Sequence, residues 1–251
     1  MNRAAFHKVF KATGPVVLPV IHVLDAEQTA RNVDVLIGEG AAGCFLINHD
    51  FEVKRFLPII EETRRAYPSL WLGVNFLAVT GKDAFPTLGR LEGEGCPVDA
   101  YWADDARINE HGTDQTEADE IAKSRDTSGW TGLYFGGTAF KKQREVAPDD
   151  CEAAARAACP FMEVITTSGV ATGKEADLTK IEDFRRGIGD RPMALASGIT
   201  PDNARAYADV DCFMVATGIN REGDFYNIDP ERLARLMKIT RELGKGRHDG
   251  G

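Results

Sequence analysis

Apolar runs of strand length recur along the chain, each followed by a segment of helical length. The runs cover residues 16–23, 44–49, 71–76, 100–105, 131–140, 162–169, 193–199 and 212–220. They are continuous rather than alternating, the pattern of strands buried on both faces. Between them the apolar positions shift to helical spacing, as with Phe56, Ile59, Ile60 and Thr63. Helix starts carry capping signals, as in Thr200-Pro201-Asp202 and Asp229-Pro230. Eight strand–helix units in one chain of 251 residues predict a closed (β/α)₈ barrel, an α/β fold in a single domain. A doubly wound open sheet is the competing arrangement. The barrel is expected over residues 16–243. Residues 1–15 form an amphipathic N-terminal extension that covers the bottom, and residues 244–251 a disordered tail.

In such a barrel, chemistry sits where strands end and loops begin. The strand ends here are polar or small: His22, His49, Asn75, Asp104 with Asp105, the Thr138–Lys142 segment, Thr166 to Ser168, Ser197-Gly198 and Thr217-Gly218. Loops are polar everywhere, so any single position carries little weight. The combination carries more, because two of the five histidines and two carboxylates fall at this one end.

The last two strands end in Ser197-Gly198-Ile199 and Thr217-Gly218. Loops after strands seven and eight commonly form a phosphate site. Glycines admit close backbone approach, and free N–H groups there suit an anion, with a helix N-terminus adding to the field. The sixth loop, with Ser168 and Gly169, is expected to close over the same ligand; Lys174 on that loop is read as a solvated lysine, with a phosphate contact as the alternative. Lys141 and Lys142 follow the fifth strand; one is expected to point inward as a phosphate contact, an acid–base group or a Schiff-base nucleophile. The catalytic candidates are therefore His22, His49, Asn75, Asp104, Asp105, Lys141 and Lys142.

Net charge is −9, which disfavours nucleic acid as a partner. The apolar stretch near the start is too short to span a membrane. The five cysteines are scattered without a CxxC pair, as expected of free thiols in a reducing, cytoplasmic setting. No spaced GxGxxG motif is present, and no cofactor is predicted. A homo-oligomer is expected only from the base rate of such barrels.

Four blocks, "LGVNFL", "TTSGVATGKEADLTKI", "ALASGITPDN" and "VATGINREGDFYNIDPERL", resemble the BtpA/SgcQ family of TIM-barrel proteins. The likeness begins near residue 16 and becomes dense after residue 131. It implies the barrel fold and the polar strand ends, but no defined reaction. The family is named for a factor in photosystem biogenesis. Several members carry a His directly after the fifth-strand lysine, where this chain reads Lys141-Lys142-Gln143.

Three functions follow as alternatives. The first is an enzyme, of lyase or isomerase type, acting on a small phosphorylated metabolite such as a sugar phosphate or phosphoribosyl compound. The second is a hydrolase holding a divalent metal on His22, His49 and Asp104. The third is a non-enzymatic assembly factor, for which a large apolar patch on the helix ring would be the mark.

Overall fold

In the computed structural model, which describes residues 1–141 and 143–248, eight parallel strands close into a barrel in chain order. The strands are β1 (Val16–His22), β2 (Gly43–Ile47), β3 (Trp71–Asn75), β4 (Ala100–Ala103), β5 (Leu133–Gly137), β6 (Val164–Thr167), β7 (Met193–Leu195) and β8 (Cys212–Val215). Closure comes from β1 against β8, with Val16 opposite Cys212 and Leu18 opposite Met214. The helices are α1 (Arg3–Val9), α2 (Ala26–Gly38), α3 (Val53–Ala66), α4 (Gly81–Gly93), α5 (Thr116–Ser128), α6 (Cys151–Ala158), α7 (Leu178–Ile188) and α8 (Pro230–His248).

Alternate residues of each strand enter one of two apolar cores. One set, including Leu18, Val20, Phe45, Ile47, Trp102, Phe135, Ala196 and Met214, fills the barrel interior. The other, including Ile21, Leu46, Val74, Tyr101, Tyr134, Ile165 and Phe213, packs against the helices. This two-sided burial explains the continuous apolar runs of the sequence. It also sets which strand-end side chains point along the barrel axis.

The N-terminal extension is the helix α1, capped by Asn2, whose Oδ1 accepts from the Ala5 N–H at 2.8 Å. Phe6 is fully buried in the interior core, its ring edge-on to that of Phe135 with the centroids 6.3 Å apart. The helix thus plugs the bottom of the barrel, leaving the other end for a ligand.

Two expected elements differ. The chain is helical through His248, where a disordered tail was expected from residue 244. Gly244 is buried against Thr13 and Gly14, and a Cβ on either glycine would strike the other's backbone, so this contact carries the helix past residue 243. Residues 249–251 of the expected tail lie outside the described residues. The helix expected from Thr200 is only a 3-10 turn, Ala204–Tyr207. Asn203 accounts for this: its Oδ1 accepts from the Thr200 N–H at 2.8 Å and its Nδ2 donates to the Gly198 carbonyl at 2.7 Å. The segment is thereby tied back to the end of β7 instead of winding onward.

Candidate active site

The interior set of strand positions continues beyond the strands into the mouth. There His22, His49, Asp104, Lys141, Ser197, Gly198, Ile199, Thr217 and Gly218 border one cavity. Thr172 and Gly173 of the sixth loop close it from the side, and Val20, Ile47, Leu77, Trp102 and Met214 form its apolar floor. Residues far apart in sequence are therefore collected at a single point over the barrel axis.

Two histidines stand on one wall, and a phenylalanine packs against both. The rings of His22 and His49 meet edge to face at 5.6 Å. Phe225, from the long loop after β8, stacks on His22 at 3.8 Å and meets His49 at 5.3 Å. The Nδ1 of His22 lies 3.3 Å from the Phe225 carbonyl oxygen. A carbonyl only accepts, so Nδ1 carries the proton and Nε2 presents a lone pair. Burial first, then the neighbouring His49 and Lys141, push the His22 pKa down from 6.5 to about 4 against the opposing Phe225 bond. His22 is neutral at physiological pH.

Asp104 stands at the first position after β4, and the Asn75 amide donates to its Oδ1 at 3.1 Å. Asn75 is itself buried and does not border the cavity; it positions the carboxylate. Gln143 donates to the Asp104 backbone carbonyl and, at 3.1 Å, to that of Gly137, which fixes the fifth loop against the fourth. Lys141 donates from Nζ to the Ala196 carbonyl at 3.0 Å, directly before Ser197-Gly198. Its cation is thus placed beside the seventh loop.

The backbone N–H groups of Gly198, Ile199, Thr217 and Gly218 have no acceptor among the described residues. They stand on two adjacent loops bordering the same cavity as Lys141. The glycines act differently from the sequence expectation. A Cβ on Gly218 would strike the Ile199 carbonyl, and one on Gly198 would strike the backbone of Lys174 and Glu175. Gly198 also has φ of +72°, a left-handed conformation that favours glycine. Their missing side chains let the sixth, seventh and eighth loops pack together, and this packing places the N–H groups.

Several expected site residues sit elsewhere. Asp105 lies on the opposite strand face, accepting from the Arg107 N–H at 2.8 Å with the Arg107 guanidinium at 3.3 Å. Ser168 and Gly169 are buried loop ties: Ser168 Oγ accepts from the Lys141 N–H, and the Gly169 N–H donates to Ser197 Oγ, both at 2.8 Å. They border a neighbouring cavity of about 590 Å³ instead. Lys174 is exposed, as a solvated loop lysine is, while Thr172 and Gly173 reach the central cavity. Lys142 lies outside the described residues.

His22, His49 and Asp104 do not form a metal-ligand group. Among the described residues, ligand atoms within 4.8 Å of one another are found in Glu110, His111 and Asp150. That group joins the loops after β4 and β5, and Glu110 already pairs with Arg144. Trp102 and Phe225 were absent from the sequence reading. The inward period of β4 points to Trp102, but nothing local marks Phe225.

No family model matches the chain, and no curated protein matches it. Solved structures do. The alpha subunit of tryptophan synthase from Legionella pneumophila is 14% identical, with a TM-score of 0.62 over 98% of this chain and 99% of that one. Phosphoribosylanthranilate isomerase from Thermotoga maritima is 16% identical, with a TM-score of 0.58 over 92% and 99%. A native KDPGal structure is 13% identical, with a TM-score of 0.61 over 91% and 96%. The fold is a TIM barrel. At these identities the likeness speaks for the fold alone, and the BtpA/SgcQ resemblance rests on its four sequence blocks. No described helix is long and apolar enough to cross a membrane.

Proposed function

We propose that this protein is an enzyme acting on a small phosphorylated metabolite, with the phosphate held by the loops after β7 and β8. The observation that carries this reading is the convergence of four unpaired N–H groups and one lysine on a cavity that also holds acid–base groups. Unpaired backbone donors and a cation suit a phosphoryl oxygen set. An isomerase whose name denotes a phosphoribosyl substrate shares the fold, which is consistent with it.

The other wall supplies proton transfer. Neutral His22 offers Nε2 as a proton acceptor, and Asp104, oriented by Asn75, is a second base or its conjugate acid. The two face a ligand anchored at its phosphate end, which is the arrangement lyase and isomerase chemistry needs. Lys141, bonded to the Ala196 carbonyl, acts as a phosphate contact rather than a nucleophile. An assembly role has less support, since the large exposed apolar residues are Val9, Ile37, Val170 and Leu178, on separate segments.

Calorimetry with inorganic phosphate and with sugar phosphates tests the reading. Binding that Lys141→Met weakens at least tenfold is expected. Absence of binding by every phosphate tried overturns it.

A further inference from the structure

Trp102 raises a question that the phosphate loops leave unanswered. It lies on the inward face of β4, one inward position below Asp104, and only 4% of its surface is exposed. Its ring is fixed by edge contacts to Phe45 at 6.0 Å and Phe140 at 5.9 Å. Yet its indole Nε1 is buried and without a hydrogen-bond partner, in a residue that borders the central cavity. A buried, unpaired N–H is costly, and native proteins almost always satisfy such groups.

The wall around Trp102 limits what can satisfy it. His22 Nε2 presents a lone pair and has no partner among the described residues. Asp104 borders the same cavity and already accepts from the Asn75 amide. The cavity lining thus joins an unpartnered donor, Trp102, to an open acceptor, His22. A hydroxyl matches both, since it accepts and donates. A bare alkyl chain leaves the indole unpaired.

Building on the phosphate reading, we infer that Trp102 is a ligand-binding residue. Its indole N–H donates to an oxygen at the non-phosphate end of the ligand, and that end is hydroxylated. The substrate class is therefore a polyhydroxylated, sugar-like phosphate ester rather than an alkyl one. Sites built to bond a hydroxyl discriminate strongly against analogues that lack it.

Glycerol 3-phosphate and n-propyl phosphate have the same three-carbon length, and only the first carries free hydroxyls. Calorimetry on the full chain should show glycerol 3-phosphate binding at least tenfold tighter. Trp102→Phe should bring the two within about twofold while leaving inorganic phosphate affinity unchanged. In the unmodified protein, ¹H–¹⁵N spectra should show three indole signals, one for each tryptophan. The Trp102 signal, assigned by its loss in Trp102→Phe, should move downfield with glycerol 3-phosphate but not with inorganic phosphate. Equal affinity for the two esters, or an unmoved indole signal, overturns the inference while phosphate binding leaves the proposed function standing. If inorganic phosphate and both esters all fail to bind, the proposed function falls and the inference with it.

Discussion

The Nδ1 of His22 lies 3.3 Å from the carbonyl oxygen of Phe225, whose ring covers the imidazole at 3.8 Å. One loop residue thus sets the tautomer of His22 through its backbone and removes water through its side chain. The Phe225 loop is held in turn by Tyr226, whose carbonyl accepts from Gln28 at 2.7 Å and Asn32 at 2.8 Å, and whose hydroxyl donates to Asp50 at 2.8 Å. The wall of the mouth is therefore anchored on α2 and on the second loop.

This arrangement predicts an unusual titration. Imidazole NMR signals of His22, assigned with His22→Gln, should show a midpoint near 4 rather than 6.5. The folded state resists protonation, so its advantage is full above pH 6.5 and declines as pH falls from there toward 4. The difference corresponds to roughly 3 kcal/mol once both states are protonated. His22→Gln should flatten that part of the stability profile. A midpoint at 6 or above would show that the ring is solvated and that Phe225 does not cover it.

Gly218→Ala should damage the scaffold as well as the site. Its Cβ meets the Ile199 carbonyl, a backbone atom that cannot swing aside. A stability loss of about 2 kcal/mol or more is expected in chemical denaturation. A glycine that served only to admit an anion would lose the anion on substitution and keep its melting temperature. An unchanged midpoint of denaturation would restore that simpler view.

The fold was legible because both faces of every strand are buried, which writes the barrel as eight apolar runs. The same period of two separates inward Asp104 from outward Asp105, since Trp102 and Asp104 share a face with Ala100. Other features depend on distant partners. Nothing near Ser168 shows that its hydroxyl ties the Lys141 N–H instead of facing a ligand. Phe225 reaches His22 across 203 residues, and a continuous helix in the seventh unit was prevented by Asn203 bonding back to Gly198. Tertiary contacts of this kind leave no local pattern.

At the closed end, Asp211 is fully buried beneath Arg3 at 2.8 Å, Arg185 at 2.8 Å and His7 at 3.0 Å. Burial pushes its carboxyl up, but the His7 hydrogen bond and the two arginine charges outweigh this and hold it well below the usual carboxylate range. The stability it contributes is present above the ordinary carboxylate pKa and declines as pH falls below it. Asp211→Ala leaves two arginines uncompensated and should cost about 3–5 kcal/mol. Phosphate affinity should not change, because the plug and the mouth are at opposite ends. A parallel loss of phosphate binding would mean that the two ends are coupled.

Asp104 and Lys141 border the same cavity but are assigned separate tasks, and a pair of variants separates them. Lys141→Met removes a cation beside the seventh loop, so ground-state binding should fall, with inorganic phosphate affinity down at least tenfold, about 1.4 kcal/mol. Asp104→Asn keeps the shape and the Asn75 contact while abolishing the base. It should leave phosphate affinity within twofold and lower turnover of the substrate at least tenfold, about 1.4 kcal/mol in barrier height. Because the Lys141 amine is engaged with the Ala196 carbonyl, borohydride with a carbonyl substrate should leave no adduct on it. A stable adduct on Lys141, or a turnover loss for Lys141→Met with phosphate affinity intact, would move this lysine from the phosphate end to the reacting bond and reverse the two roles.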